Sequence, residues 1–246
     1  MQKIKVNSQA ELAQIIRNSP VDADLNHLDV SGVTDMRYLF KCSEFNGDIS
    51  RWDVGNVISM EGMFYLSKFN GDISNWNVRN VTTMYCMFRE STFNGDISNW
   101  DVSNVTVMVD MFRNSEFNGD ISNWDVSNVV NMSCMFDSSE FNGDISNWDV
   151  SNVTFMNYMF ESSEFNGDVS KWDVSNVTFM DTIFYGSRFS RWHDLFHWNL
   201  NPICRSRMTS GRDFNELLDR FSKKFNIPDD SKYDDIRLAL ALKFMA

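Results

Sequence analysis

Phe93-Asn94-Gly95-Asp96-Ile97-Ser98-Asn99-Trp100-Asp101-Val102-Ser103-Asn104-Val105 decides the fold, because it recurs with small changes along most of the 246 residues. Phe45, Phe69, Phe93, Phe117, Phe141 and Phe165 each open a copy at a constant spacing of 24 residues. A strict period without insertions marks stacked units rather than a globular catalytic domain. Within a copy, Ile49, Trp52 and Val54 follow an apolar-x-x-apolar-x-apolar spacing, and the Trp-x-Val alternation predicts one inward face of a short strand. Val57, Met60, Met63 and Phe64 recur at three and four residues, which predicts a short helix capped at its start by Asn56. Asn46-Gly47 and its equivalents predict a turn whose glycine takes the left-handed conformation. No unit buries its Trp, Val, Met and Phe alone, so the stack itself is the expected core.

Working outward, an apolar fraction of 43% with 21 Phe, 15 Met and 8 Trp supplies enough core material for folding. The net charge of -12 repels phosphate backbones and anionic headgroups, so nucleic acid is not an expected partner. No apolar run of about 18 residues occurs, and no membrane span is expected. Met1 to Val6 is basic but runs into polar sequence without the apolar stretch of a secretory signal. Cys42, Cys86, Cys134 and Cys204 form no CxxC pattern. Cys86 and Cys134 are two copies apart, roughly 10 Å at a coil spacing of about 4.8 Å and beyond disulfide reach. Four free thiols are the expectation, compatible with a reducing compartment.

Three segments follow from the pattern. Residues 1–24 form an N-terminal cap: a strand over Ile4 to Val6, then Ser8-Gln9-Ala10-Glu11 as a capping box, a helix facing inward with Leu12, Ile15 and Ile16, and Pro20 beyond its end. Residues 25–188 hold about seven copies, the first degenerate, with Leu25, Leu28 and Val30 in place of Ile, Trp and Val. Residues 189–246 form a distorted last coil, in which Leu195, Trp198 and Leu200 resume the spacing two residues late. Two helices then close the far end, one over Asp213 to Phe225 and one carrying Ile236, Leu240 and Phe244.

Ile49-x-x-Trp52-x-Val54-x-x-Val57 resembles the strand half of a leucine-rich repeat. The fuller pattern, Phe-Asn-Gly-Asp-Ile-Ser-x-Trp-Asp-Val-Ser-Asn-Val-Thr and then Met-x-x-Met-Phe, resembles the BspA-like bacterial surface repeat, which is also widespread in mycoplasma proteins of unknown function. The resemblance covers Leu25 to Phe189. It implies an α/β repeat solenoid, a leucine-rich-repeat-like right-handed superhelix of strand-turn-short-helix coils. It also implies a surface-exposed or secreted adhesion or interaction protein. The missing signal sequence departs from that pattern and leaves a cytoplasmic location open.

Trp52, Trp76, Trp100, Trp124, Trp148 and Trp172 form a ladder that their alternation with valine assigns to a buried spine rather than to a sugar platform. Asp48, Asp72, Asp96, Asp120, Asp144 and Asp168 are expected to accept hydrogen bonds from turn amides. Asp53, Asp101, Asp125, Asp149 and Asp173, with Asn77 interrupting, point outward between inward Trp and Val. With Asn99, Asn123 and Asn147 and Ser103, Ser127 and Ser151 they make a flat acidic face suited to a basic protein, or to glycans. One Asp per coil does not assemble the six or more oxygens that calcium needs. His193 and His197 have metal-ligand spacing but no Glu beside the first, and His27 stands alone. No cofactor site and no enzyme activity are expected.

Comparing copies separates constant from variable positions. The residue before the first Met reads Asp35, Ser59, Thr83, Val107, Asn131, Phe155, Phe179; the residue after it reads Arg37, Glu61, Tyr85, Val109, Ser133, Asn157, Asp181. Phe155 and Phe179 thus become neighbours, and either meet the C-terminal helices or form a protein-binding patch. The expected function is a monomeric, non-enzymatic scaffold for protein interaction, adhesin-like by resemblance. The alternative is an intracellular binding or inhibitory partner.

Overall fold

Every second backbone N–H of the Met-x-x-Met-Phe segment leaves its own copy for the next. The computed structural model describes residues 3–189 and 198–204. In it, the amides of Gly62, Phe64 and Leu66 donate to the carbonyls of Tyr85, Met87 and Arg89 at 2.7–2.9 Å. The intervening amides of Met63, Tyr65 and Ser67 donate back three residues, each at 3.1 Å, to Met60, Gly62 and Phe64. An α-helix would direct all of them four residues back along its own axis. The short helix expected here is instead a run of tight turns, because half of its donors are needed by the neighbouring copy.

This alternation places two residues per copy in the left-handed region, Gly62 and Leu66 at φ 55°, Cys86 and Glu90 at 55°, Tyr158 at 59° and Ser162 at 54°. Most of these are not glycine, so each copy carries local backbone strain. The strand expected at Trp52 and Val54 is likewise not formed. Among the described residues, the copies pair through single parallel bridges, Asp24–Asp48 and a column that runs Asp35–Ser59–Thr83–Val107–Asn131–Phe155–Phe179, each 24 residues on from the last.

Glycine in the Asn-Gly pairs has a different role from the one its neighbour suggests. Gly71, Gly95, Gly119, Gly143 and Gly167 are not left-handed; a Cβ at Gly119 would lie 2.9 Å from Cε2 and Cζ of Phe117. The requirement is close approach of the phenyl ring two residues earlier, not a special φ. The asparagine beside each glycine links copies: Asn70 Oδ1 accepts from the Asn94 amide and Asn94 Oδ1 from the Asn118 amide, both at 2.9 Å. Asn56 does not cap a helix either, since its Nδ2 donates to the Ser31 carbonyl of the preceding copy at 2.9 Å.

The core is continuous. Phe93, Phe112, Phe117, Met108 and Met111 are fully buried, as are their equivalents in neighbouring copies. Each tryptophan is 3–4% exposed from Trp52 to Trp172. Its indole N–H donates to an Ile or Leu carbonyl 27 residues earlier, as Trp100 does to Ile73 at 3.1 Å. Trp198 repeats the bond to Val169 at a separation of 29 residues, the two-residue lag of the last coil. Tryptophan is tolerated in so tight a core because its one polar group has a partner.

At the N-terminal end, β1 (Ile4–Lys5) pairs in parallel with β2 (Leu28–Asp29), Ile4 opposite Leu28. Between them, α1 (Gln9–Asn18) starts at Ser8, whose hydroxyl accepts from the Glu11 amide at 3.2 Å, while Glu11 Oε2 accepts from the Asn7 amide at 2.9 Å. Leu12 and Ile16 bury the inner face of this helix against the first copy. The two expected C-terminal helices, His193, His197 and most of the distorted coil lie outside the described residues. Cys42, Cys86 and Cys134 are free thiols, Cys42 exposed, Cys86 buried and Cys134 partly buried; Cys204 is buried as well.

Candidate functional site

With the constant residues committed to stacking, three outward surfaces remain. The first is acidic and carries two Asx motifs per copy. Oδ1 of Asp96, Asp120 and Asp144 accepts the amide of Ser98, Ser122 and Ser146 at 2.9 Å. Oδ1 of Asp101, Asp125 and Asp149 accepts the amide of Ser103, Ser127 and Ser151 at 3.0–3.2 Å. These amide bonds hold the Asp96, Asp120 and Asp144 carboxyls below the ordinary carboxylate range. For Asp101 and Asp149 the serine hydroxyl is the larger cause and the amide the second. The chain thus keeps these side chains ionised and oriented, with one oxygen committed to the turn.

Asp53, Asp101, Asp125, Asp149 and Asp173 are exposed, as are Asn99, Asn123 and Asn147. Cations touch this face at few points: Arg79 reaches Asp101 at 3.9 Å, and Arg51 and Lys171 replace the exposed Asn of the middle copies. Among the described residues no group of three or more His, Cys, Asp or Glu is placed to hold a metal ion. Phe155 and Phe179 do not join this face. They belong to the bridge column, half-buried, with ring centroids 5.2 Å apart and planes at 17°.

That bridge column is the second surface. It presents the two residues before the first Met and the one after it. Ile58, Thr82, Thr106, Val130 and Thr154 are followed by Ser59, Thr83, Val107, Asn131 and Phe155, and flanked by Tyr85, Val109, Ser133 and Asn157. Ile58 is 53% and Val130 43% exposed, and the second and third rows are half-buried.

The third surface lies along the tight turns and is one that sequence reading did not find. Arg89 Nη1 lies 3.4 Å from Asp110 Oδ2, Arg113 Nη1 3.4 Å from Asp110 Oδ1, and Arg113 Nε 2.9 Å from Asp137 Oδ2. Asp110 and Asp137 are 7% and 6% exposed, so two nearly buried carboxylates are neutralised by two arginines that bridge three copies. The guanidinium of Arg89 also sits 5.4 Å over the Tyr65 ring, and Lys41 lies over the same ring at 5.2 Å. The available signal was opposite charge at equivalent positions one period apart, Arg113 and Asp137. Cys86 Sγ donates to Asp110 Oδ2 at 3.7 Å, and burial pushes its thiol up. Burial pushes the Cys134 thiol up to about 12. Neither supplies a thiolate near neutral pH.

Compared with known proteins, three overlapping segments of the chain, residues 10–118, 89–142 and 113–221, match one family model, described as a mycoplasma protein of unknown function, DUF285. No curated protein and no solved structure matches it.

Proposed function

This chain belongs to the DUF285 family of mycoplasma proteins of unknown function, and from that premise we propose a non-enzymatic repeat scaffold that binds other proteins. Its copies form a leucine-rich-repeat-like right-handed solenoid, similar to BspA-like surface repeats, and it acts in adhesion or host contact. The observation that supports this reading is the ordered acidic face. Paired Asp columns recur in the middle copies, their Asp96, Asp101, Asp120, Asp144 and Asp149 carboxyls held ionised by their own turns, and cations are few there. Such a surface raises the encounter rate with a basic partner and binds it through many weak, salt-sensitive contacts.

Nature supplies the control, since Asn77 occupies the place of Asp101 and its Oδ1 accepts the Arg79 amide at 3.3 Å. The combined variant Asp101→Asn, Asp125→Asn, Asp149→Asn therefore keeps the turn and removes charge. Purified wild type should capture basic proteins from native or host lysate at low salt and release them as ionic strength rises. The variant should melt like wild type and lose them. Undiminished capture by the variant refutes the reading.

A second reading, an intracellular binding or inhibitory partner, is favoured by the free thiols of Cys42, Cys86 and Cys134. Cell fractionation followed by protease treatment of intact cells separates the two, because only a surface protein is cleaved.

A further inference from the structure

We infer that the bridge column is a second binding surface, and that its ligand is a neutral linear polysaccharide. Residues 1–189 contain 12 Lys and Arg against 26 Asp and Glu, yet from Thr82 to Asn157 the three rows of this column hold no charged residue in four consecutive copies. An uncharged strip on a strongly acidic body disfavours both polyanions, which the body repels, and polycations, which bind better elsewhere.

The backbone narrows the choice further. Along the strip the backbone pairs from copy to copy, as in Thr106 N–H to Thr82 at 2.9 Å and Met108 N–H to Asn131 at 3.0 Å, so a chain laid over this face meets side chains rather than a sheet edge. Contact must be through side chains alone. Neighbouring rings in this column lie 5.2 Å apart at Phe155 and Phe179. Four copies by three residues therefore make a strip of roughly 200 Å², several-fold below the ~800 Å² per partner of a stable protein interface. Its long and narrow outline fits a chain molecule.

The chemistry fits sugar. Tyr85 and Phe155, both half-buried, offer part of their ring carbons, and Val107 and Val130 offer methyl groups, matching the apolar C–H groups of pyranose rings. Between them, the hydroxyls of Thr82 and Thr106 donate to the carbonyls of Ile58 and Thr82 at 3.4 and 3.2 Å. Their oxygens are left as acceptors for sugar hydroxyls.

The test uses the full chain and three neutral probes, cellohexaose, chitohexaose and mannohexaose, with a hyaluronan oligosaccharide as the charged control, measured by calorimetry and ligand-observed NMR. At least one neutral chain should bind with an affinity unchanged between low and high salt, and hyaluronan should not bind. Thr106→Glu, at an exposed position, should weaken that binding tenfold or more while the melting temperature holds. The triple Asp→Asn variant of the acidic face should bind the sugar as wild type does, so failure here is distinct from failure of the protein-binding reading. The inference falls if none of the three neutral chains binds, if Thr106→Glu leaves sugar binding intact, or if Thr106→Glu instead abolishes capture of a protein.

Discussion

Replacing Gly119 by alanine tests whether the Asn-Gly pair is a turn or a seat for an aromatic ring. The added Cβ would stand 2.9 Å from both Cε2 and Cζ of Phe117, against ordinary carbon contacts of about 3.5–4.0 Å, so the ring or the backbone must yield by about half an ångström or more. Phe117 has no room to yield. It is fully buried, with Phe93 and Phe141 at 6.3 Å on either side and Phe112 at 4.4 Å. Forcing a methyl into such packing costs about 1–3 kcal/mol. For a chain of this size that is a fall in Tm of roughly 2–10 °C. Thermal unfolding followed by near-ultraviolet circular dichroism, which reports the stacked rings, measures it. Gly119→Asn decides the cause, because asparagine tolerates a left-handed backbone but adds more bulk than alanine. The steric account requires Asn to be worse than Ala. It is refuted if Asn is tolerated while Ala is not, or if Ala costs less than about 0.5 kcal/mol, the ordinary scatter of neutral substitutions.

Three other outcomes follow. Ser162 is exposed and left-handed at φ 54°, so Ser162→Gly should stabilise by about 0.5–1 kcal/mol, the relieved strain less the unfolded-state entropy of glycine; a lower denaturation midpoint contradicts this. The carboxyls of Asp48, Asp96, Asp101, Asp120, Asp144 and Asp149 titrate lower in the folded chain than in the unfolded one. Their stabilisation is present above the unfolded value of about 3.9 and lost as pH falls through the folded values, so Tm should decline below about pH 4 and not rise there. Calcium chelation should leave Tm unchanged, because each Asp of the face uses Oδ1 on its own turn; a large drop would reveal a cation bound between copies.

What could be read in the sequence was whatever depends on period alone. The spacing of Trp100 and Val102 assigns them to the interior, and both are buried, because burial follows from apolar character and alternation without regard to hydrogen bonding. Local geometry was less legible, because in Met60 to Ser67 the backbone donors are divided between the copy's own turns and the next copy. A three- and four-residue spacing of Met and Phe looks helical whether or not the amides point four residues back. Asn56 and Gly71 misled for the same reason: each is a local signal whose reason lies in a contact outside its own segment, or in a ring rather than a φ angle. On the outward side, the exposure of Asp101 and Asn99 was legible from alternation with buried Trp100. The Arg89–Asp110–Arg113–Asp137 chain was not, since only superposing copies brings residues 21 and 24 apart into contact.

The constant offset of 24 residues between hydrogen-bonded partners makes length a separable property of this molecule. Excising residues 93–116 would rejoin Thr92 to Phe117, a junction with the same Phe-Asn-Gly-Asp seam on its far side as before. Arg89 would then stand beside Asp137, where Arg113 now stands, so even the irregular ion-pair chain would close. Recombination between such copies in a gene shortens or lengthens the body one coil at a time while leaving the chemistry of each coil intact. A lineage could thus adjust how far its outward faces extend as one adjusts a ruler, by whole divisions.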